Sequence, residues 1–328
     1  MVTKSVVSLL LGFMGSLLFG NILIPFLKKR DARQTLNRYL EETHKRKSGT
    51  PTMGGLIFLL PPFLYFILFF LFGKLEVSYS LLILFFTTLG YALIGFLDDY
   101  LIIRKHNNKG LTEEQKLLCE LVIAILFFYF FMKSGNEPLL WIHTFHFKWE
   151  IGWLYGFFIL FVLSASSNAV NLTDGLDGLA GGLSFLSILT FGIITWNTGW
   201  LQGYEELAVF CFLLAGSVLG FLVYNVSPAK IFMGDTGSLA LGAFLGSISI
   251  LTRHELLLAL IGIVFVLETL SCMIQRFYYK RTKKRVFPMT PIHHSFEKWG
   301  FKEVEIVRLF WVIGFFASLL AISFGVWL

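Results

Sequence analysis

Long apolar runs alternate with short polar stretches along this chain. The runs cover approximately 6–27, 53–72, 78–97, 116–132, 151–170, 178–196, 205–224, 236–252, 255–279 and 306–328. A helix needs roughly 20 apolar residues to cross a bilayer. The pattern therefore predicts an all-α, polytopic membrane protein with about ten transmembrane helices, built as a single domain over 1–328. The ninth run is long and ends on Arg276, which predicts a bend or an early exit from the membrane. The first run follows a lone Lys4, is too long for a signal-peptide core and lacks a small-x-small cleavage site, so it reads as a retained span.

Composition supports this pattern. Of 328 residues, 56% are hydrophobic and only 15% are charged, against about 25% charged in a soluble domain. The mean hydropathy is +0.73. The 37 phenylalanines suit lipid-facing helices. Cys119, Cys211 and Cys272 all lie inside apolar runs, which predicts small buried thiols rather than disulfides or a zinc site.

Charge then orients the spans. The net charge of +6 does not point to nucleic acid, because the cations cluster in particular loops. All of the 27 Lys and Arg except Lys4, Lys74, Lys133, Lys148 and Arg253 fall at or near the 28–52, 98–115, 171–177, 225–235 and 280–305 loops. The positive-inside rule makes those loops cytoplasmic and places both termini outside. Asp98, Asp99, Asp174, Asp177, Asp235, His293 and His294 share that cytoplasmic side.

Carboxylates beside hydrocarbon are costly and mark functional positions. "GFLDDYL" puts Asp98 and Asp99 at the C-terminal end of the third span, where the helix dipole disfavours anions. The pair makes sense if a cation or a proton is shared nearby. In "NLTDGLDGLAGG", Asp174 and Asp177 would share a helix face. Capping of the sixth span accounts for Asp177 but not for Asp174 and Asn171 as well. In "IFMGDTGS", Asp235 starts the eighth span, either as a cap or as a functional group. Thr236, Gly237 and Ser238 would offer N–H groups and hydroxyls to phosphate. "PIHHSFEKWG" supplies His293 and His294, fit to bind phosphate or carry protons. Lys47 precedes the "SGTPTMGG" turn, where a topology lysine is the simpler explanation. Hard oxygen donors near basic loops suit Mg²⁺ bound with phosphates, hence metal-assisted phosphoryl transfer.

These motifs resemble one family. "TPTMGG" (50–55), "GFLDDYL" (95–101), "NAVNLTDGLDGLAGG" (168–182), "IFMGDTGSLALG" (231–242) and "PIHHSFE" (291–297) are similar, in order and spacing over essentially the whole chain, to the phospho-N-acetylmuramoyl-pentapeptide transferases (MraY, translocase I). That family sits within the polyprenyl-phosphate N-acetylhexosamine-1-phosphate transferases. The resemblance implies transfer of phospho-N-acetylmuramoyl-pentapeptide from UDP-MurNAc-pentapeptide to undecaprenyl phosphate. The products are lipid I and UMP, at the first membrane step of peptidoglycan synthesis. It also implies a Mg²⁺ requirement, contact with membrane lipid, a homodimer, and a place in the bacterial inner (plasma) membrane with the active site facing the cytoplasm.

Residue by residue, the resemblance makes Asp98 the general base, with Asp99 beside it. Asp235 becomes the magnesium ligand, and Asp174 a second candidate ligand. Lys47, Asn171, Asp174, Asp177 and Phe232 are implied on the nucleotide side, with Asp177 near uracil and Phe232 stacked on the base. His293 and His294 match the first two of three histidines; the third position is Ser295, so a role needing a third imidazole does not carry over. Direct attack and a two-step route through an aspartyl-phosphate both remain open. The rivals are a sister UDP-GlcNAc:polyprenyl-phosphate transferase and a transporter using the intramembrane Glu120 and Glu268.

Overall fold

The computed structural model describes residues 2–30, 49–73, 76–105, 110–142, 147–197 and 203–326. The helices in chain order are α1 (Val2–Lys29), α2 (Gly55–Leu71), α3 (Tyr79–Lys105), α4 (Glu113–Lys133), α5 (Tyr155–Thr173), α6 (Leu179–Trp196), α7 (Tyr204–Asn225), α8 (Gly234–Leu251), α9 (Glu255–Ile261), α10 (Ile263–Thr282), α11 (Ile292–Lys298) and α12 (Glu303–Val326). Among the described residues, eight helices are long and apolar enough to cross a membrane. The α9–α10 pair adds a broken span, and α2 is a shorter apolar helix. Each of the ten predicted runs thus becomes helix, and the expected bend in the ninth is a sharp one. The chain turns by 86° between α9 and α10, at Gly262.

The bundle is built around α8. Every residue of that helix except Asp235 is buried. Its glycines, alanines and serines let α3 and α5 approach closely. Gly95 of α3 lies against the Asp235 carbonyl, and Gly242 lies against the backbone of Ser166, with no room for a side chain at either place. A small-residue stripe on α1, from Ser5 through Ser8, Gly12 and Ser16 to Gly20, packs against α7 in the same way. The large apolar side chains point outward instead: Ile22, Phe157 and Phe161 are each more than 60% exposed. This is the arrangement a hydrocarbon solvent requires.

Three details depart from the sequence expectation. Residues 139–150 form an antiparallel hairpin, β1 (Leu139–Ile142) and β2 (Phe147–Glu150), with Leu139 opposite Glu150. Arg253 ties this hairpin to the bundle, donating to the carbonyls of Leu139 (3.0 Å) and Glu137 (2.6 Å) and lying over the Phe131 ring. Of the three cysteines only Cys211 is buried, Cys272 is half-buried and Cys119 is exposed, because α4 turns that face away from the bundle; all three are free thiols. Finally, α3 runs on to Lys105. Asp98 and Asp99 therefore sit about two turns inside the helix, with Arg104 and Lys105 in the last turn where the dipole acts.

Candidate active site

Four helix ends converge at one end of the bundle. Asp98 comes from α3, Lys116 from the first turns of α4, Asn171 from the last turn of α5, and Asp235 from the first turn of α8. The N-terminus of α4 is fixed by a capping box, in which the Thr112 hydroxyl accepts from Gln115 N and the Gln115 side chain accepts from Thr112 N. That cap sets the phase of α4 and brings Lys116 inward.

The Lys116 ammonium then lies 3.1 Å from Asp98 Oδ1 and 2.9 Å from Asp235 Oδ2. Asp98 also accepts the Leu111 N–H at 2.7 Å. Asn171 Nδ2 donates to Asp235 Oδ1 at 2.8 Å and lies 2.9 Å from Ser238 Oγ. Two carboxylates thus share one cation, as the sequence required of the acidic pair. The pair is Asp98 with Asp235, however, rather than Asp98 with Asp99.

Asp99 is turned the other way. Its Oδ1 accepts from Asp235 N at 3.2 Å, and its Oδ2 accepts from Thr236 N at 2.9 Å and the Thr236 hydroxyl at 2.6 Å. The N-terminus of α8 does bind an anion, as its dipole favours, and the anion is Asp99. The donors of Thr236 expected for phosphate are thereby occupied, and Ser238 Oγ donates to Gly234 O. Asp235 lies in the first turn of α8 but is not its cap, which is Met233.

Asp174 and Asp177 do not share a helix face, because 174–178 is a turn between α5 and α6. Asp174 is the C-cap of α5. Gly178, at φ +82°, takes the N-cap of α6 that Asp177 was expected to fill. Asp177 instead accepts the Ala229 N–H at 3.0 Å, while its own N–H donates to Glu303 at 2.7 Å. Asn225 completes this lattice, accepting from Gly178 N and donating to the Ile231 carbonyl. Phe232 is half-buried, and its backbone pairs with Pro51 and Gly54, fastening the 51–54 segment to the start of α8. Lys47 lies outside the described residues.

His293 and His294 stand on α11, buried, with ring centroids 4.1 Å apart. His294 Nδ1 is 2.6 Å from Glu297. His293 reaches the rest of the site at Gly175, where an added methyl would collide with its Nε2 edge. Ser295, in the place of a third histidine, is spent on its own loop: its hydroxyl donates to the Met289 carbonyl at 2.5 Å.

Lys116 is the member of this cluster that sequence reasoning missed. A lysine near the start of an apolar run reads as a topology charge, and only the capping box before it hinted at a fixed inward phase. Glu120 and Glu268, the residues that favoured a transporter, also belong to this end. Glu120 is one turn beyond Lys116 and accepts the Ser164 hydroxyl at 2.5 Å, and Glu268 lies beside His293.

Among the described residues, no group of three or more His, Cys, Asp and Glu is poised to hold a metal ion. The residues still fit Mg²⁺. That ion commonly takes only one or two carboxylates and completes its shell with water and phosphate. Asp98 and Asp235 already converge on one cation, the ammonium of Lys116.

The family model for glycosyl transferase family 4 matches residues 81–253. Signature 1 of the phospho-N-acetylmuramoyl-pentapeptide-transferases matches residues 47–59. The chain is 42% identical over 324 residues to the phospho-N-acetylmuramoyl-pentapeptide-transferase of Geobacillus thermodenitrificans, with 98% of each chain covered. It is 43% identical over 322 residues to that of Bacillus subtilis, again covering 98% of each. With that of Bacillus thuringiensis it shares 44% identity over 317 residues, 96% of each chain.

Proposed function

The chain belongs to the phospho-N-acetylmuramoyl-pentapeptide-transferase family, and on that premise we propose that it makes lipid I from UDP-MurNAc-pentapeptide and undecaprenyl phosphate at the cytoplasmic face of the bacterial plasma membrane. It does so as one membrane domain that assembles as a homodimer. The observation that carries the reading is the convergence of Asp98, Lys116, Asn171 and Asp235 at one end of the bundle. A phosphoryl transfer between two anionic substrates needs such a mixture of cation and carboxylate.

Asp235, held by Asn171, and Asp98 are the residues that would hold Mg²⁺, with Asp174 on the neighbouring turn as a further ligand. When bound there, the ion supplies charge neutralisation between the two phosphate-bearing substrates. Lys116, freed from Asp98 and Asp235, offers its ammonium to a phosphate oxygen. Asp98 takes the remaining proton of undecaprenyl phosphate or holds that phosphate in line. An acceptor phosphate oxygen then bonds to the β-phosphorus of the donor, and the bond to the α-phosphate oxygen breaks, releasing UMP. Asp99 keeps α8, and with it Asp235, in position. Lys47, Asp174, Asp177 and Phe232 form the nucleotide side, and His293 and His294 form the wall opposite the 174–178 turn.

Purified protein given undecaprenyl phosphate and Mg²⁺ should release UMP from UDP-MurNAc-pentapeptide and none from UDP-GlcNAc. Equal use of UDP-GlcNAc would assign it to the sister transferases. No UMP from either donor would refute transferase chemistry.

A further inference from the structure

The 139–150 hairpin follows α4 and runs into α5 through a turn at 152–154. Both helices reach the Asp98–Lys116–Asp235 cluster at their other ends, α4 through Lys116 and α5 through Asn171. The 21 residues of α4 measure about 30 Å, and a bilayer's hydrocarbon core is about as thick. With the cluster at one membrane surface, the hairpin stands at the level of the other. The Lys133 ammonium ends α4 there, 5.4 Å from the centre of the Tyr129 ring. Tyr129 and Trp153 are both more than half exposed. Tyr and Trp gather at membrane surfaces, where the ring meets apolar chains and its polar atom meets water.

β2 reads Phe-Lys-Trp-Glu, and all four residues are exposed. Successive side chains of a strand point to opposite faces. Phe147 and Trp149 therefore share one face, and Lys148 and Glu150 share the other. The pairing carries both faces across to β1. Leu140 lies opposite Trp149, and Trp141 lies opposite Lys148, whose ammonium is 4.3 Å from the centre of the Trp141 ring. Phe147 is 52% and Trp149 59% exposed. Next along the chain come Trp153 and Phe157, more exposed still, with their rings edge to face at 5.8 Å. Phe157 belongs to a membrane-spanning helix, so its exposed ring meets lipid. Water around the whole hairpin would leave Phe147 and Trp149 wet. Lipid or protein around all of it would strip Lys148 and Glu150 of water, at a cost no partner offsets. A boundary between lipid and water suits both faces at once.

We propose that this hairpin is an interfacial membrane anchor. Phe147 and Trp149 enter the boundary between headgroups and acyl chains in the leaflet remote from the cluster, and Lys148 and Glu150 stay in water. The occupant of the aromatic face is the phospholipid surface itself. That face leads along the chain into the lipid-facing start of α5, and it stands at the level of Tyr129 and Lys133. Arg253 makes the anchor rigid. It holds the carbonyls of Leu139 and Glu137, so the depth of the hairpin and the depth of the bundle are set together. None of this depends on the reaction proposed above.

The test has two arms, both on the full chain in nanodiscs of phosphatidylcholine and phosphatidylglycerol. In the first, Trp149 emission is read as the difference between wild type and Trp149→Phe. Lipids carrying a doxyl group near the headgroup end of the acyl chain should remove most of it, and aqueous iodide should remove little. Strong quenching by iodide with none by the doxyl lipids overturns the proposal. Quenching by neither also overturns it, since protein then covers the face. In the second arm, Phe147→Cys, Lys148→Cys, Trp149→Cys and Glu150→Cys are treated with a water-soluble, membrane-impermeant maleimide. The reaction of Cys119, Cys211 and Cys272 in the unaltered protein is subtracted. Positions 148 and 150 should react several-fold faster than positions 147 and 149, and equal rates at all four overturn the proposal. All four side chains are exposed, so none of these substitutions opens the core.

Discussion

The Lys116 ammonium lies 2.9 Å from the Asp235 carboxylate, across 119 residues of chain. The contact joins the start of α4 to the start of α8, and the same ammonium reaches Asp98 on α3. Replacing it leaves two carboxylates facing each other with no counter-charge. Lys116→Met should therefore reduce kcat by about 10²–10³-fold, the cost of losing one preorganised group at developing charge. Steady-state UMP release checks this. A variant within a few-fold of wild type would make Lys116 a topology charge after all.

Asp98 and Asp99 are neighbours with different duties, and the difference is measurable. Asp99 accepts three hydrogen bonds from the start of α8. In Asp99→Asn an NH₂ group faces those donors, and stability should fall by about 1–3 kcal/mol, the penalty for buried donors left unpaired. Asp98→Asn keeps an oxygen for Leu111 N and Lys116. It should melt near wild type while losing turnover. Thermal melts run beside activity assays separate the two outcomes, and equal melting loss in both variants would contradict the division.

At the opposite end of the bundle, Arg253 is buried; it holds the hairpin by the carbonyls of Leu139 and Glu137, and it also donates to the hydroxyl of Tyr155 on α5, which itself donates to Glu255. Arg253→Met should destabilise the protein by about 3 kcal/mol, as breaking a buried charged network does. Turnover per folded molecule should not change. A large loss of kcat at unchanged melting temperature would show coupling between the two ends, which this account does not contain.

The helices were legible in the sequence because a bilayer needs long apolar runs, and every run became helix. The acidic motifs were legible as a one-sided group because carboxylates beside hydrocarbon need a reason. Their partners were not. Asp98 pairs with Asp235 rather than with adjacent Asp99 because a helix turns successive side chains about 100° apart. Asp99 faces the start of α8 and Asp98 faces Lys116; that choice depends on the phase of α3, which is set by packing at Gly95. The Asp177 cap failed for a related reason. Gly178 can adopt positive φ and takes the cap itself, leaving Asp177 to hold the 229 backbone. Lys116 stayed hidden because a single charge near a helix end has two meanings, and only the fold selects one.

The central claim is that Asp98, Lys116, Asn171 and Asp235 form one phosphate-transfer site that works with Mg²⁺. Its most direct test is a Mg²⁺ titration of UMP release by wild type and by Asp235→Asn, in purified protein given both substrates. Wild type should be inactive after chelation and recover as Mg²⁺ is restored. Asp235→Asn, melting as wild type does, should stay at least about 10²-fold slower at the Mg²⁺ level that saturates wild type. An Asp235→Asn protein with the wild-type rate and the wild-type Mg²⁺ response would contradict the account.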